Sequence, residues 1–239
     1  MLKNVNIHNI LFLDIETVSG FSKYSELPER FKTLWNHKAS FLKKGESDTE
    51  ESLYERAGIY AEFGKIICIS VGYIHKGDGV EQIRLKSFAS HDEVEVLKSF
   101  SDLLNKFFGE TKHLLCGHNA KEFDFPYICR RLLINGLPIP NTLNIAGKKP
   151  WEVNHLDTMQ LWRFGDYKAY TSLDLLTALF NVPSPKSDIS GADVSRVYWE
   201  DNDLERIAEY CQQDVVALIQ IFRKYQALNL IDPSDILMS

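Results

Sequence analysis

The strongest constraint on this chain is that acidic residues stand beside apolar runs that a folded core has to bury. Asp14 and Glu16 follow the apolar residues 10–13, Asp124 lies in GHNAKEFDFP, and Asp214 lies in EYCQQDVVAL. Carboxylates gathered from distant parts of one chain repel each other unless a cation joins them. A divalent-metal site is therefore the first hypothesis, because hard cations such as Mg²⁺ prefer oxygen ligands.

Composition favours one globular domain over residues 1–239, and the expected location is the cytoplasm. The chain is 44% hydrophobic and has no apolar run that approaches the ~18–20 residues of a membrane span. The first residues, MLKNVNIHNI, lack the basic-then-apolar order of a signal peptide. The cysteines form no CxxC pair and lie in apolar segments, so reduced, buried thiols are expected.

The net charge of −6 argues against a wide phosphate-binding surface. Proteins that coat long duplexes are usually basic. A small site that handles one strand end stays compatible with this charge, because metal ions would supply the positive charge there.

Hydrophobic periodicity predicts an α/β fold. Apolar and β-branched runs predict strands at 10–15, 66–75, 81–89, 113–119 and 152–158. Helical spacing predicts helices over 92–108, 126–135, 171–181 and 203–226. Residues 18–62 show no strand pattern and are predicted to form a helical insertion after the first strand. A hairpin turn signal, GDG at 77–79, implies an antiparallel opening. Strands that alternate with helices follow it, so the sheet is predicted to be mixed, with helices packed on it.

The first acidic pair lies at the end of the predicted strand 10–15. Alternate strand residues share a face, so Asp14 and Glu16 would project together with Cα atoms about 7 Å apart, and Ile15 would point into the opposite packing layer. That spacing suits two carboxylates that bind a pair of metal ions. The triplet alone also fits an ordinary acidic strand end that faces water.

Asp124 and Asp214 each have a structural alternative. Asp124 precedes Phe125 and Pro126, and Asp is a favoured helix N-cap, with Pro favoured in the first turn. Asp214 and Tyr210 are four residues apart and share a helix face. Asp214 falls at the margin of that helix's apolar stripe, where a surface salt bridge would also account for it. The stripe consists of Leu204, Ile207, Ala208, Cys211, Val215, Leu218, Ile219 and Phe222.

Three motifs in this order resemble the exonuclease motifs of the DEDD superfamily, also called DnaQ-like 3′–5′ exonucleases. They are DIET (Asp14 to Thr17), HNAKEFD (His118 to Asp124) and YCQQD (Tyr210 to Asp214). The Tyr-x-x-x-Asp spacing resembles the tyrosine branch, DEDDy, whereas the histidine branch would place His where Glu209 stands. The resemblance spans residue 10 to about 225.

Two further segments resemble the stand-alone bacterial relatives of the family B DNA polymerase proofreading domain. They are AEFGKIICIS and the PK-D-SG-DV pattern at 185–194. The resemblance implies a ribonuclease H-like mixed five-stranded sheet flanked by helices. It also implies removal of nucleoside 5′-monophosphates from the 3′ end of single-stranded DNA, with two divalent cations, Mg²⁺ or Mn²⁺, as cofactors.

The resemblance also assigns roles to single residues. Asp14, Glu16, Asp124 and Asp214 would be metal ligands. Tyr210 would orient the attacking water, since a phenol of pKa about 10 is a poor general base near neutral pH.

Substrate contacts are expected at Thr17, Asn119 and Lys186. The alternatives are a turn residue at Asn119 and a solvated lysine at position 186. Asp157 in HLDT is a further acid near the expected site, but Tyr210 before Asp214 makes Asp214 the better fourth ligand.

Other side chains near the motifs have mainly structural interpretations. His118 and His155 are expected to be structural, and Phe21 and Phe63 are expected to pack in the core, although either phenylalanine could stack on a base.

Two other functions remain as alternatives. The first is a 3′–5′ exoribonuclease that acts on RNA ends or short oligoribonucleotides, which recognition of the 2′-OH would distinguish. The second is a non-catalytic nucleic-acid-binding module that kept the fold.

Overall fold

The computed structural model describes residues 2–45, 47–77, 79–110, 112–166, 168–183 and 188–238. The strands are β1 (Ile10–Ser19), β2 (Gly64–Gly77), β3 (Val80–Ala89), β4 (Leu114–Gly117), β5 (Leu156–Asp157) and β6 (Ile236–Met238). The α-helices are α1 (Glu29–Ser40), α2 (Glu50–Tyr54), α3 (Glu93–Phe107), α4 (Asp124–Ile134), α5 (Thr158–Arg163), α6 (Leu173–Phe180), α7 (Val194–Arg196) and α8 (Leu204–Tyr225). Asp78, in the predicted hairpin turn, lies outside the described residues.

The strands form one mixed sheet in the order β5-β4-β1-β2-β3-β6. The pairs β1–β2 and β2–β3 are antiparallel, and the pairs β1–β4, β4–β5 and β3–β6 are parallel. The mixed sheet flanked by helices is confirmed, but the sheet as described has six strands and not five. The additional strand, β6, is three residues long, which is too short to show an alternating pattern in the sequence.

Strand β1 divides the core into two layers because its side chains alternate between the faces of the sheet. Leu11, Leu13 and Ile15 pack in the cluster that contains α3 and α4. Ile10 and Phe12 pack instead against α8. Asp14 and Glu16 continue the second set, so the fold directs both carboxylates toward α8.

Helix α8 lies unusually close to β2 at Gly72. A Cβ atom at this position would come within 2.8 Å of Val215 Cγ1 and 2.9 Å of Ile219 Cδ1. The missing side chain therefore lets the helix approach the sheet at this point. At its start, the Asp203 side chain accepts a hydrogen bond from the Arg206 amide at 3.1 Å, as expected for a helix cap.

The helical insertion occupies residues 20–63 between β1 and β2, and it contains α1 and α2. It begins two residues later than predicted because β1 continues through Ser19. Trp35 is fully buried at its centre and makes edge-to-face contacts with Tyr54 and Phe63. Phe63 is half-buried and therefore packs against this core.

Helix α5 and the short helix α7 were not predicted. None of the helices in the described part of the chain combines the length and the apolar composition needed to cross a bilayer.

Candidate active site

The acidic residues of the three motifs meet between β1, the start of α4 and α8. A ligand atom each from Asp14, Glu16 and Cys211 all lie within 4.8 Å of one another. The charges of Asp124 and Asp214 act on both Asp14 and Glu16. The fold thus brings together four carboxylates from three segments that are far apart in the sequence.

The cluster is electrostatically unfavourable by itself. Burial raises the pKa of Asp14 well above its ordinary value, and the charges of Glu16, Asp124 and Asp214 raise it further. Burial also raises the pKa of Glu16, with Asp214 the largest of the charges that add to this effect. Raised pKa values of this kind mark carboxylates that share a site without a positive partner. Oxygen donors held in this way are the ligand set that Mg²⁺ and Mn²⁺ prefer.

Asp124 is the first residue of α4 and not its cap. The cap position is Phe123, which makes no side-chain capping bond, so the helix-cap interpretation of Asp124 is wrong. Burial raises the pKa of Asp124 to about 7; backbone hydrogen bonds from Asp124 itself and Ile15 oppose this rise, and the charge of Asp157 adds to it. The hydrogen bond from the Ile15 backbone places this buried carboxyl group beside β1.

Tyr210 and Asp214 share one face of α8, as their spacing predicts. Burial raises the pKa of Asp214 to about 6, the Tyr210 hydrogen bond lowers it, and the charge of Asp174 raises it. Burial raises the pKa of Tyr210 far above its ordinary value, as do the charges of Asp214 and Glu16. Its hydroxyl therefore stays protonated and can donate a hydrogen bond. Within the described residues Asp214 forms no ion pair with Lys, Arg or His, so the salt-bridge alternative is not supported.

Asp157 is satisfied by backbone amides. Its Oδ1 accepts from Asn119 at 3.0 Å, Met159 at 3.0 Å and Gln160 at 3.2 Å, and its Oδ2 accepts from Lys121 at 3.0 Å. The carboxylate caps α5 and fixes the turn that leads to Asp124. These bonds give Asp157 a structural role in shaping the site.

Sequence reasoning missed the part that Cys211 plays. Its Sγ lies 3.5 Å from both the backbone oxygen and Oδ2 of Asp14 and donates toward them. Cys211 is three residues before Asp214, so the helical spacing already placed it on the cluster's side of α8. The thiol was predicted only to be buried, which it is.

A row of small polar side chains continues from this thiol across the sheet. Cys211 hydrogen-bonds to Cys68, Cys68 Sγ lies 3.6 Å from Ser70 Oγ, and Ser70 Oγ lies 2.7 Å from Ser87 Oγ. Gln212 Nε2 donates to Ser87 Oγ at 2.8 Å. Residues that would be apolar in an ordinary sheet core are here polar beside the carboxylates.

Asp174, at the start of α6, is a second residue that sequence reasoning missed. Its charge raises the pKa of Asp214. No local pattern indicated this, because the contact between α6 and α8 joins two distant parts of the chain.

The three predicted substrate contacts differ from one another in their surroundings. Thr17 is half-buried, and its side chain hydrogen-bonds to Tyr127, whose hydroxyl donates to the Gly58 carbonyl at 2.7 Å. Asn119 has a positive φ of 63°, which supports its interpretation as a turn residue. Lys186 lies outside the described residues.

The histidines make structural hydrogen bonds, as expected. His118 Nε2 lies 2.9 Å from the Thr171 carbonyl, and His118 Nδ1 lies 2.9 Å from Thr158 Oγ1. His155 Nδ1 accepts from the Leu115 amide at 3.2 Å, and its Nε2 lies 2.7 Å from the Thr142 carbonyl. Phe21 is 38% exposed and does not share the burial of Phe63.

Two comparisons with known proteins concern the family and the fold of this chain. Residues 59–231 match the model of a family described as a predicted 3′–5′ exonuclease related to the exonuclease domain of PolB. The matched range includes Asp124, Tyr210 and Asp214, while Asp14 and Glu16 precede it. The fold is similar to that of the family B DNA polymerase from the hyperthermophilic archaeon Pyrobaculum calidifontis, with a TM-score of 0.53 and 18% identity. The similarity covers 91% of this chain and 24% of the polymerase chain.

Proposed function

Since this chain belongs to the family of predicted 3′–5′ exonucleases related to the exonuclease domain of PolB, and is thus a hydrolytic exonuclease, we propose that it acts on the 3′ end of single-stranded DNA with two divalent cations. It would release nucleoside 5′-monophosphates one at a time. The observation that supports the proposal is the convergence of four carboxylates in one cluster.

The residues that would hold the cations are Asp14, Glu16, Asp124 and Asp214. Their oxygens suit Mg²⁺ or Mn²⁺, and burial is the largest cause of the raised pKa of each of the four. When bound, two such cations neutralise the phosphodiester and favour ionisation of the attacking water.

The remaining residues of the site would position the reactants. Tyr210 is protonated and half-buried beside Asp214, so its hydroxyl can hold the water that attacks phosphorus in line with the leaving 3′ oxygen. Cys211 Sγ donates to the Asp14 carboxylate. Cleavage of the P–O3′ bond leaves a free 3′ hydroxyl on the shortened strand and a phosphate on the released nucleotide.

Replacing Tyr210 by Phe is expected to lower kcat by about 10²-fold, because one positioned hydrogen bond to the reacting water is lost. The affinity for Mn²⁺ should stay near that of the wild type, since the phenol is not a ligand. Single-turnover cleavage and calorimetric titration with Mn²⁺ measure the two quantities. The matched control is Tyr73→Phe, because Tyr73 is a surface tyrosine on β2 that is 39% exposed. An unchanged kcat in Tyr210→Phe would contradict water positioning by this residue.

The proposed substrate is tested with matched DNA and RNA strands of equal sequence, labelled at the 5′ end, with and without Mn²⁺. A ladder of products that shortens from the 3′ end, faster for DNA than for RNA and absent without the metal, is the expected result. Faster loss of RNA would favour the exoribonuclease alternative. No cleavage of either strand together with no Mn²⁺ binding would favour the non-catalytic binding module.

A further inference from the structure

The segment between α5 and α6 displays two aromatic rings to solvent. Phe164 is 92% exposed and Tyr170 is 67% exposed. Exposed single apolar residues are common on protein surfaces. Two exposed aromatic rings at the two ends of one short segment are less common. Aromatic side chains are enriched in protein interfaces and in sites that bind single strands.

The backbone at Phe164 is strained. Its φ of 44° and ψ of 34° lie in the left-handed region, and Gly165 follows with a φ of 91°. The left-handed region is unfavourable for a residue with a bulky side chain, whereas Gly or Asn adopts it readily. The chain therefore keeps a large apolar ring where both the backbone and the solvent disfavour it. Strain of this kind is often maintained at functional sites.

Arg163 fixes both ends of this segment. Its guanidinium is buried, with Nη1 3.3 Å from Glu122 Oε1 and Nε donating to the Ala169 carbonyl at 2.9 Å. The guanidinium carbon also lies 4.2 Å from the centre of the Tyr170 ring. One face of Tyr170 is thus covered by a cation, and most of the ring remains open.

The segment contacts the second motif at two points. His118 of the second motif lies 2.9 Å, through Nε2, from the Thr171 carbonyl, and Glu122, the partner of Arg163, is two residues from Asp124. Four residues after Tyr170, Asp174 lies in the first turn of α6, which packs against α8. The segment that carries the two rings therefore lies against the turn that leads to Asp124.

We propose that Phe164 and Tyr170 form a stacking platform for the bases of the strand whose 3′ end enters the carboxylate cluster. This inference rests on the proposed exonuclease function. Every nucleobase has a flat face that stacks on an aromatic ring, and Arg163 packs on the other face of the Tyr170 ring. Such a platform needs no wide basic surface, in agreement with the net charge of −6. Stacking holds the strand by its bases, so the phosphates require few cations.

The test compares binding of a short oligothymidine with binding of an abasic strand of the same length and backbone. Fluorescence anisotropy gives Kd for both strands, in Ca²⁺ buffer and in the cleavage-deficient Asp14→Asn background. The protein with Phe164 and Tyr170 unaltered should bind the oligothymidine more tightly than the abasic strand. Phe164→Asn and Tyr170→Ala should each weaken that binding by about tenfold and leave the abasic strand unchanged.

Phe164→Asn separates a binding role from a structural one. Because Asn tolerates the left-handed backbone, the unfolding temperature should stay the same or rise while the base-dependent affinity falls. Phe107→Ala removes another exposed ring, 66% exposed on α3, and should change neither quantity. A fall in unfolding temperature without a change in Kd would overturn the platform. A change of oligomeric state in sedimentation without a change in Kd would overturn it also, in favour of a contact between copies of the chain.

The outcomes also separate this inference from the proposed function. Cleavage of the oligonucleotide by the wild type with equal KM in Phe164→Asn would refute the platform alone. An absence of metal-dependent cleavage by the wild type would refute the exonuclease proposal, whatever the anisotropy shows.

Discussion

Replacing Asp14 by Asn is expected to lower the exonuclease rate by about 10³-fold or more while raising the unfolding temperature of the metal-free protein. The loss of rate follows because the cations would supply several kcal/mol of charge stabilisation, and about 1.4 kcal/mol corresponds to a tenfold change in rate. The gain in stability follows because Asn removes a carboxyl group whose pKa is raised by burial and by the charges of Glu16, Asp124 and Asp214.

The opposite signs make this variant diagnostic. Replacing an ordinary structural residue lowers the activity and the stability of the protein together. Unfolding temperature in EDTA, unfolding temperature in Mn²⁺ and single-turnover cleavage form the measurement. In Asp14→Asn the stabilisation by Mn²⁺ should be largely lost. Full activity, or a lower unfolding temperature in EDTA, would contradict the role of Asp14 as a ligand.

Asp157→Asn is the matched control for this experiment. Its carboxylate accepts four backbone hydrogen bonds, and loss of the charged acceptor should destabilise the fold by about 1–3 kcal/mol. The variant should keep the stabilisation by Mn²⁺, because its carboxylate is already used by the backbone. Loss of Mn²⁺ binding with an unchanged fold would instead make Asp157 a ligand.

The metal-free protein is expected to lose stability as the pH rises from about 4 to 7. The folded pKa values of Asp124, about 7, and Asp214, about 6, lie above their ordinary value of 3.8. Between these limits the folded state holds protons that the unfolded state has released, so unfolding becomes easier as pH increases. A folded pKa that lies one pH unit above the unfolded pKa corresponds to about 1.4 kcal/mol, so the full effect amounts to several kcal/mol.

Mn²⁺ should reverse this dependence, because deprotonated carboxylates bind the cation better. Urea unfolding across this pH range, in EDTA and in Mn²⁺, measures the two slopes. The stability gained from Mn²⁺ should be small near pH 5 and large near pH 8. The variant Asp214→Asn should flatten the slope in EDTA. Stability in EDTA that increases from pH 5 to 7 would contradict a cluster of mutually repelling acids.

The local sequence pattern was sufficient to predict which side chains share a face of β1 and of α8. Alternation along β1 predicted that Asp14 and Glu16 share a face, and the four-residue spacing on α8 did the same for Tyr210 and Asp214. Period and spacing predict these relations because each follows from the geometry of one strand or one helix. Order and identity of the motifs supplied the family, which the match over residues 59–231 confirms.

Other features depend on contacts between distant segments. The sequence alone left Asp124 as a cap or a ligand, and the position of α4 removes the first of these. Asp157 is an acid beside the site, but only the turn at Asn119 and Lys121 explains why its oxygens are occupied. The contribution of Asp174 to the site depends on how α6 meets α8.

The sequence by itself determined which residues share a face: the acid pair of β1 and the Tyr210–Asp214 pair of α8. Only the tertiary structure decided what each face meets, including the Cys211 thiol on Asp14 and the buried Arg163 that fixes the aromatic segment. The reason is physical. Spacing along the chain fixes the direction of side chains within one element, whereas the partner across an interface depends on how all the elements pack together.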